Sequence, residues 1–301
     1  MKNGLAPEQI VGWQGVSLRV PPDWSVTGFQ GDAKEGYLRI DSPGSLVAEV
    51  RWAQARKAVD VRKRLDAYLN LVERQAKKRK VTFTGRIKPS EDWQGALEFN
   101  YRADRKVRGF IRQCPQCRRV VIAQVSGDKD DAVVNVAKQL LDTLQDHSED
   151  GWWTWALLGL VVRLPEQFAL VKSQVMSGYL LLQFRSRCTE VSVERWGLAD
   201  VTLKRWTLEE WALQATEWKR LRAQWTLSEI EGHPAVQLKG FRRAPTVWLR
   251  RKIERLVLRR PDEIHGAVWH CEPSNRIYSV RVERGTEELL RQIVDSVQCH
   301  G

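Results

Sequence analysis

The chain has 301 residues, 43% of them hydrophobic and 29% charged, a balance that is typical of a folded globular protein and excludes wholesale disorder. Its five cysteines are an odd number, too few and too scattered for a disulfide framework. The net charge of +12 favours an acidic partner, although it does not distinguish nucleic acid from anionic protein or lipid.

The start of the chain carries no apolar segment of the secretory type. The longest uncharged apolar stretch, Trp152 to Val162, spans only 11 residues, which is too short to cross a bilayer as a helix. We therefore expect no membrane span and a cytoplasmic location, whose reducing conditions agree with unpaired cysteines.

The two halves of the chain repeat each other in four blocks that occur in the same order, so we infer an internal duplication. The first domain is predicted at residues 1–150 and the second at 151–301, joined near Glu149–Trp153. The last block is the clearest, because Lys138–Gln145 reads almost letter for letter as Arg291–Gln298. The first block pairs Leu18–Trp24 with Val162–Phe168. The second pairs Gly36–Leu38 and Glu49–Trp52 with Gly178–Leu180 and Val193–Trp196, and the third pairs Cys114 with Cys271.

Each copy is predicted to open with a short strand, which Pro21 or Pro165 ends because proline has no backbone N–H to donate. In the first copy a hairpin follows, formed by Tyr37–Ile40 and Val47–Trp52. A helix is then predicted from Val61 to Lys80, where apolar residues recur at helical spacing. Three strands and a closing helix complete the copy, at Ala96–Arg102, Val107–Gln113, Arg119–Val125 and Asp131–Leu144.

In the second copy, Trp211, Trp218 and Trp225 lie seven residues apart and would share one face of a helix. An extra hairpin is predicted around residues 245–261, where the second copy is longer. The remaining predicted elements are strands in Ala235–Arg242, Val247–Leu258 and Ala267–Val282, and a helix at Glu287–Val297. This order predicts an α+β protein with two homologous domains, each an antiparallel sheet flanked by helices.

This pattern resembles a tandem PsbP-like fold, the fold of the extrinsic photosystem II subunit PsbP, a Ran-binding nuclear import factor and DcrB-type bacterial proteins. The resemblance rests on Val20–Trp24 at the start, on Gly232–Ala235 before the meander and on Ser296-Val297 at the end; Thr143-Leu144 fits that last feature less well. It would cover nearly the whole chain twice. Because members of this fold are mostly non-catalytic binding or assembly modules, the resemblance implies such a role here.

The most motif-like tetrapeptide is Cys114-Pro115-Gln116-Cys117, because a CxxC knuckle can supply half of a zinc site. A redox pair is a second interpretation, and a structural turn with free thiols is a third. The second half of the chain favours the structural turn, because it has Ser274 where the first half has Cys117. No second ligand pair is evident, since His147 stands alone in the first half. We therefore expect no metal or cofactor, and keep Cys114 and Cys117 as the weaker metal candidates.

Two basic segments are candidate contacts to a partner. The first, within residues 74–80, ends the predicted first-copy helix, where cations also complement the helix dipole. The second, within residues 250–260, lies on the predicted extra hairpin beside a tryptophan that could stack on bases. The candidate contact residues are Lys77, Lys78, Arg79, Lys80, Trp248, Arg250, Arg251 and Lys252.

No catalytic signature is recognisable in the sequence: it has no Gly-rich phosphate loop, no GxSxG elbow and no HExxH. We expect a non-catalytic interaction or assembly protein that binds the acidic surface of another protein. A nucleic-acid-binding protein using the two basic segments is the alternative. The 14 tryptophans are expected mainly in the cores, with the cluster Trp152–Trp155 at the junction of the copies.

Overall fold

The computed structural model describes residues 8–91, 95–128, 130–215, 221–242 and 263–300, without the side chains of 130–132, 215, 221–223 and 242. The chain divides into two compact units, Met1–Leu158 and Gly159–Gly301. Among the described residues, none of the helices is both long and apolar enough to span a membrane.

The first unit is built on a seven-stranded antiparallel sheet in the order β3-β4-β5-β9-β8-β7-β6. A smaller set of strands accompanies it, in which β1 pairs with both β2 and β10. The elements are β1 Gln9–Trp13, β2 Val16–Val20, β3 Ser25–Gly31, β4 Glu35–Asp41, β5 Val47–Gln54, α1 Val61–Lys78, β6 Thr84–Pro89, β7 Leu97–Arg102, β8 Lys106–Gln113, β9 Arg119–Gly127, α2 Asp130–Asp142 and β10 Trp152–Leu157.

The second unit is built on another seven-stranded antiparallel sheet, in the order β12-β13-β14-β18-β17-β16-β15. Strand for strand, this is the connectivity of the first sheet, so the predicted duplication is confirmed as a repeated antiparallel β-sheet domain. The elements are β11 Leu160–Pro165, β12 Ala169–Met176, β13 Tyr179–Ser186, β14 Thr189–Gly197, α3 Ala199–Thr202, α4 Leu208–Ala215, β15 Leu221–Ile230, β16 His233–Arg242, β17 Ile264–Cys271, β18 Arg276–Glu283 and α5 Glu287–Asp295.

Both copies close in the same way after their last helix. In the first unit the chain returns to β2, where the amide of Ser17 donates to the carbonyl of Gln145 at 2.9 Å. In the second unit the amide of Gln298 donates to the carbonyl of Val161 at 3.0 Å. These bridges hold the residues that follow, 146–147 and 299–300, at equivalent places in the two copies.

The predicted alignment of Trp52 with Trp196 is wrong by one residue. Trp52 pairs with Val121 across β5 and β9, whereas Arg195 pairs with Tyr278 at the equivalent place in β14 and β18. Trp52 and Arg195 are accordingly both buried. A one-residue shift moves a side chain to the opposite face of the sheet, so Trp196 lies on the other face.

The predicted α+β class with helices flanking each sheet is wrong. Strands make up 52% of the structure and helices 19%, so the fold is mostly β. Four unpredicted strands are the edges of the two large sheets, β3, β6, β12 and β15. Edge strands bury little on either face, as the largely exposed β6 and β12 show, and so they lack the apolar alternation by which strands are recognised.

The helix predicted from the tryptophan stripe is also wrong beyond its first turns. Helix α4 ends at Ala215, Trp225 lies in strand β15, and Trp218 lies outside the described residues. Trp211 and Trp225 nevertheless contact one apolar cluster, which also contains Leu238. The prediction that these tryptophans are apolar packing residues was correct for Trp211 and Trp225, but a spacing of seven residues did not require a helix. The predicted strand Val247–Leu258 and the extra hairpin at 245–261 lie outside the described residues.

Helix α1 agrees with its predicted span to within two residues, because its boundaries are encoded locally. Asp60 caps its first turn by accepting a hydrogen bond from the amide of Lys63 at 2.9 Å. Leu65 and Leu69 then pack on Phe99 and Ile111 of the sheet. The predicted strands of the first-copy meander likewise coincide with β7, β8 and β9.

Candidate metal centres

The first candidate centre lies where strand β8 turns into β9. Cys114 directly follows β8, and the amide of Cys117 donates to the sulfur of Cys114 at 3.5 Å, which folds the turn around that sulfur. Arg118 takes a left-handed conformation with φ of 59° to complete the turn. Asp146 and His147 reach the same place from the segment after α2, so four ligand-type side chains meet.

The four donor atoms of this first centre all lie within 4.8 Å of one another. Cys114 Sγ is 3.4 Å from His147 Nδ1, and Cys117 Sγ is 4.0 Å from Asp146 Oδ2. His147 Nδ1 is 3.1 Å from Asp146 Oδ1. Cys114 and Asp146 are buried, whereas Cys117 and His147 are half-buried.

Two arginines hold the Asp146 segment against the sheet. Arg112 Nη2 donates to Asp146 Oδ1 at 3.2 Å, and Arg119 Nη1 donates to the Asp146 carbonyl at 2.9 Å. Burial raises the pKa of the Cys117 thiol to about 11, helped by its hydrogen bond with Cys114 and by the negative charge of Asp146. Burial also lowers the pKa of the Arg119 guanidinium.

The second candidate centre forms at the matching corner of the second unit. Cys271 ends β17, His233 begins β16, and Cys299 and His300 follow α5. Cys271 Sγ and Cys299 Sγ lie 3.3 Å and 3.2 Å from His300 Nδ1, and Cys299 Sγ lies 3.5 Å from His233 Nε2. All four donor atoms are again within 4.8 Å of one another.

The second centre is deeply enclosed. His233, Cys271 and Cys299 are buried, with 7%, 0% and 4% of their surface exposed, and only His300 reaches the surface. The hydroxyl of Tyr278 donates to the carbonyl of Cys299 at 3.2 Å and fixes the segment after α5. Burial raises the pKa of the Cys299 thiol to about 12, with a further contribution from Cys271.

Three ligands of each centre come from equivalent positions in the two copies, and the fourth comes from a different strand or turn. Cys114 corresponds to Cys271, His147 to His300, and Asp146 to Cys299. The fourth ligand comes from the β8–β9 turn in the first copy, as Cys117, and from the start of β16 in the second, as His233. Ser274 occupies the place of Cys117 in the second copy, and the counterpart of His233 falls in residues 92–94, outside the described part of the chain.

Zinc is the ion that these donor sets fit best. Thiolate and imidazole ligands in a tetrahedral arrangement favour zinc. From the usual zinc–sulfur and zinc–nitrogen bond lengths, a sulfur and a nitrogen bound to the same ion are expected about 3.5 Å apart. The sulfur–nitrogen distances of 3.2–3.5 Å in the second centre agree with that spacing. Four protein ligands leave no position for a substrate, and the buried Cys114 and Cys271 are poorly placed to attack one.

Sequence reasoning identified only part of this arrangement. It singled out Cys114 and Cys117, which the structure does bring together, but it treated His147 as isolated. It overlooked Asp146, His233, Cys299 and His300. A usable signal existed, because the matched blocks Lys138–Gln145 and Arg291–Gln298 are each followed by a ligand pair, Asp146-His147 and Cys299-His300.

Among the predicted contact residues, Lys77, Lys78, Arg79 and Lys80 fall in the described part of the chain and belong to neither cluster. Lys77 to Lys80 form the exposed C-terminal end of α1, where Lys77 pairs with Glu73 at 2.9 Å and Arg79 pairs with Asp104 at 2.5 Å. Two of the four cations are therefore partly neutralised. Trp248, Arg250, Arg251 and Lys252 lie outside the described residues.

Comparison with known proteins adds no identity. No protein-family model matches the sequence, and no curated protein matches it at a significant level. The function must therefore be argued from the two centres and from the surface.

Proposed function

We propose that this protein is a non-catalytic interaction protein whose two domains each bind one structural zinc ion. One observation carries the zinc assignment: the same corner of the fold gathers four ligand-type side chains in both copies. Cysteine and histidine meet there although Cys114 and His147 are 33 residues apart, and Cys271 and His300 are 29 apart. A single chance cluster would carry less weight than two at equivalent positions.

A structural role fits the place that the ligands occupy. Each zinc ion would join the end of an inner sheet strand to the segment that follows the last helix, in addition to the hydrogen bonds that already link them. Closing such a loop restricts the unfolded chain, and structural zinc contributes its binding free energy directly to folding. The free thiols expected from the sequence are thus, in this proposal, metal ligands.

Metal analysis of the untagged protein tests the zinc assignment. We expect two zinc equivalents in the wild type and one in either Cys114→Ser or Cys271→Ser, because each change removes a ligand from one centre. Cys188→Ser is the matched control, since Cys188 is free and belongs to neither cluster, and it should retain both equivalents. Wild-type protein without zinc after expression in zinc-supplemented medium would refute the proposal.

The interaction role rests on separate features. Edge strand β12 exposes Val171, Val175 and Met176, with 53%, 45% and 57% of their surface accessible, and among the described strands it pairs with β13 alone. Such an edge can accept a strand from another protein, and the net charge of +12 favours an acidic partner in the cytoplasm. Binding to that partner should persist in moderate salt but weaken in Met176→Lys; an unchanged affinity would exclude this edge.

A nucleic-acid-binding role is the second candidate, favoured by the exposed basic end of α1. Lys78 and Lys80 form no ion pair among the described residues, so both remain available to phosphates. Filter binding at two salt concentrations tests this role, because phosphate contacts require a steep loss of affinity with salt. The pair Lys78→Ala and Lys80→Ala should weaken binding and reduce the salt slope, while the exposed control Lys172→Ala should not. No binding at low salt would exclude this role.

The resemblance to the PsbP-like fold stays a prediction. It agrees with the proposed non-catalytic role, but it says nothing about a metal centre. The zinc proposal therefore does not depend on it.

A further inference from the structure

The two centres differ in the chemistry of one matched ligand. Asp146 occupies in the first centre the place that Cys299 occupies in the second. A carboxylate oxygen is a harder donor than thiolate or imidazole, and sets made only of cysteine and histidine are the usual ligands of structural zinc. The first centre therefore has two cysteines, one histidine and one aspartate, whereas the second has two cysteines and two histidines.

Asp146 has a charged partner, whereas its counterpart Cys299 has the neutral side chain of Trp269 as a hydrogen-bond partner. Asp146 Oδ1 accepts a hydrogen bond from Arg112 Nη2 at 3.2 Å, and this pair is buried on the carboxylate side, where Asp146 has 1% of its side chain exposed. Two residues before the shared cysteine, where the first copy has Arg112, the second copy has Trp269. That tryptophan is uncharged, 1% exposed and stacked on Tyr278 at 5.5 Å.

Charge balance explains why the arginine accompanies the aspartate. Two thiolates, one carboxylate and one divalent cation leave a single negative charge, which lies beside the guanidinium groups of Arg112 and Arg119 in the first centre. Two thiolates with zinc are neutral, so the second centre needs no cation beside it. A buried charge without a partner is costly, and each centre avoids that cost in its own way.

The same pair lowers the cost of losing the metal from the first centre. After zinc leaves and the thiols take up protons, Asp146 keeps Arg112 as its counter-ion, so no buried charge is left alone. Access differs as well. Two ligands of the first centre, Cys117 and His147, are half-buried and the other two are buried, whereas in the second centre three ligands are buried and only His300 reaches the surface. A chelator or a competing protein can therefore reach two ligands of the first centre.

We propose that the two centres hold zinc unequally: the first is an exchangeable site that releases its ion to external chelators or acceptor proteins, and the second retains its ion as a permanent structural site. Asp146 with Arg112 sets this difference. This inference rests on the proposed zinc function and adds a regulatory property to one of the two centres.

Release kinetics of the zinc-loaded full-length protein test the inference. With an excess of a chromophoric chelator, we expect two phases of one equivalent each, the fast phase at least about tenfold faster, which is the scale of a change in ligand environment. Asp146→Cys should slow the fast phase, and Cys299→Asp should speed the slow phase. Cys188→Ser, which alters neither centre, should keep both phases.

A measurement on the wild type assigns the phases without depending on any variant. Iodoacetamide added at the end of the fast phase should alkylate the half-buried Cys117, as detected by mass spectrometry, before Cys271 or Cys299 reacts. Alkylation of Cys271 or Cys299 first, or two equivalents released at one rate, would overturn the inference and leave the zinc function intact. Protein that contains no zinc would instead remove the proposed function itself.

Discussion

Gly109 shows how closely the residues of the first sheet are packed. It lies in β8, opposite Phe99 of β7 and Gln124 of β9. A Cβ atom at this position would clash with the Ala123 carbonyl and with the Phe99 ring at 2.6 Å. Both neighbours are buried, so neither can move aside without disturbing the core.

We expect Gly109→Ala to lower the free energy of unfolding by about 1–3 kcal/mol, the usual cost of overpacking a core. Urea unfolding followed by circular dichroism measures it. Gly44→Ala is the matched control, because only the Ser42 hydroxyl, at 3.8 Å, lies near its added Cβ. A variant as stable as this control would show that the sheet around Gly109 can relax.

Helix α5 illustrates how a short element positions ligands. Thr286 caps it by accepting a hydrogen bond at Oγ1 from the amide of Leu289 at 3.1 Å. Leu290, Ile293 and Val294 are buried on one side of the helix. The end of this helix leads directly to Cys299 and His300, so its anchoring places two of the proposed ligands.

Thr286→Ala should lower the free energy of unfolding by about 1 kcal/mol, because it leaves a helix N-terminal amide without its partner. Chemical denaturation of zinc-loaded protein tests this value. Ser45→Ala, an exposed loop change, is the control and should have little effect. An equal loss in both variants would contradict a capping role for Thr286.

At the level of elements, the sequence predicted what is encoded locally. Helix α1 was predicted because its cap and its apolar spacing both lie in consecutive residues. Inner strands β7, β8 and β9 were predicted because each carries buried apolar residues, such as Phe99, Ile111 and Val121. Edge strands β3, β6, β12 and β15 were not, because hydrogen bonds to one neighbour define them and their side chains remain largely in water. The class prediction was wrong for that reason.

For the whole molecule, removing metal should reduce stability. If zinc binds the folded state with a free concentration about a hundredfold above the dissociation constant, each site adds about 2.7 kcal/mol, which corresponds to several degrees in melting temperature. A strong chelator should therefore lower the melting temperature of the wild type. The double variant Cys114→Ser with Cys271→Ser should melt lower from the start and not respond further. A wild type indifferent to the chelator would contradict a structural role.

The duplication was readable from the sequence, because Lys138–Gln145 and Arg291–Gln298 keep the same side chains for the same packing. The metal centres were not, because their ligands come from turns and segments up to 67 residues apart, as between His233 and His300. The spacing of ligand residues along the chain does not show which of them lie close together when a turn of the sheet and the segment after the last helix come into contact. Antiparallel pairing and the bridges at Gln145 and Gln298 bring these donors together. The sequence alone therefore determined the repeat, whereas only the folded sheet showed the candidate metal centres.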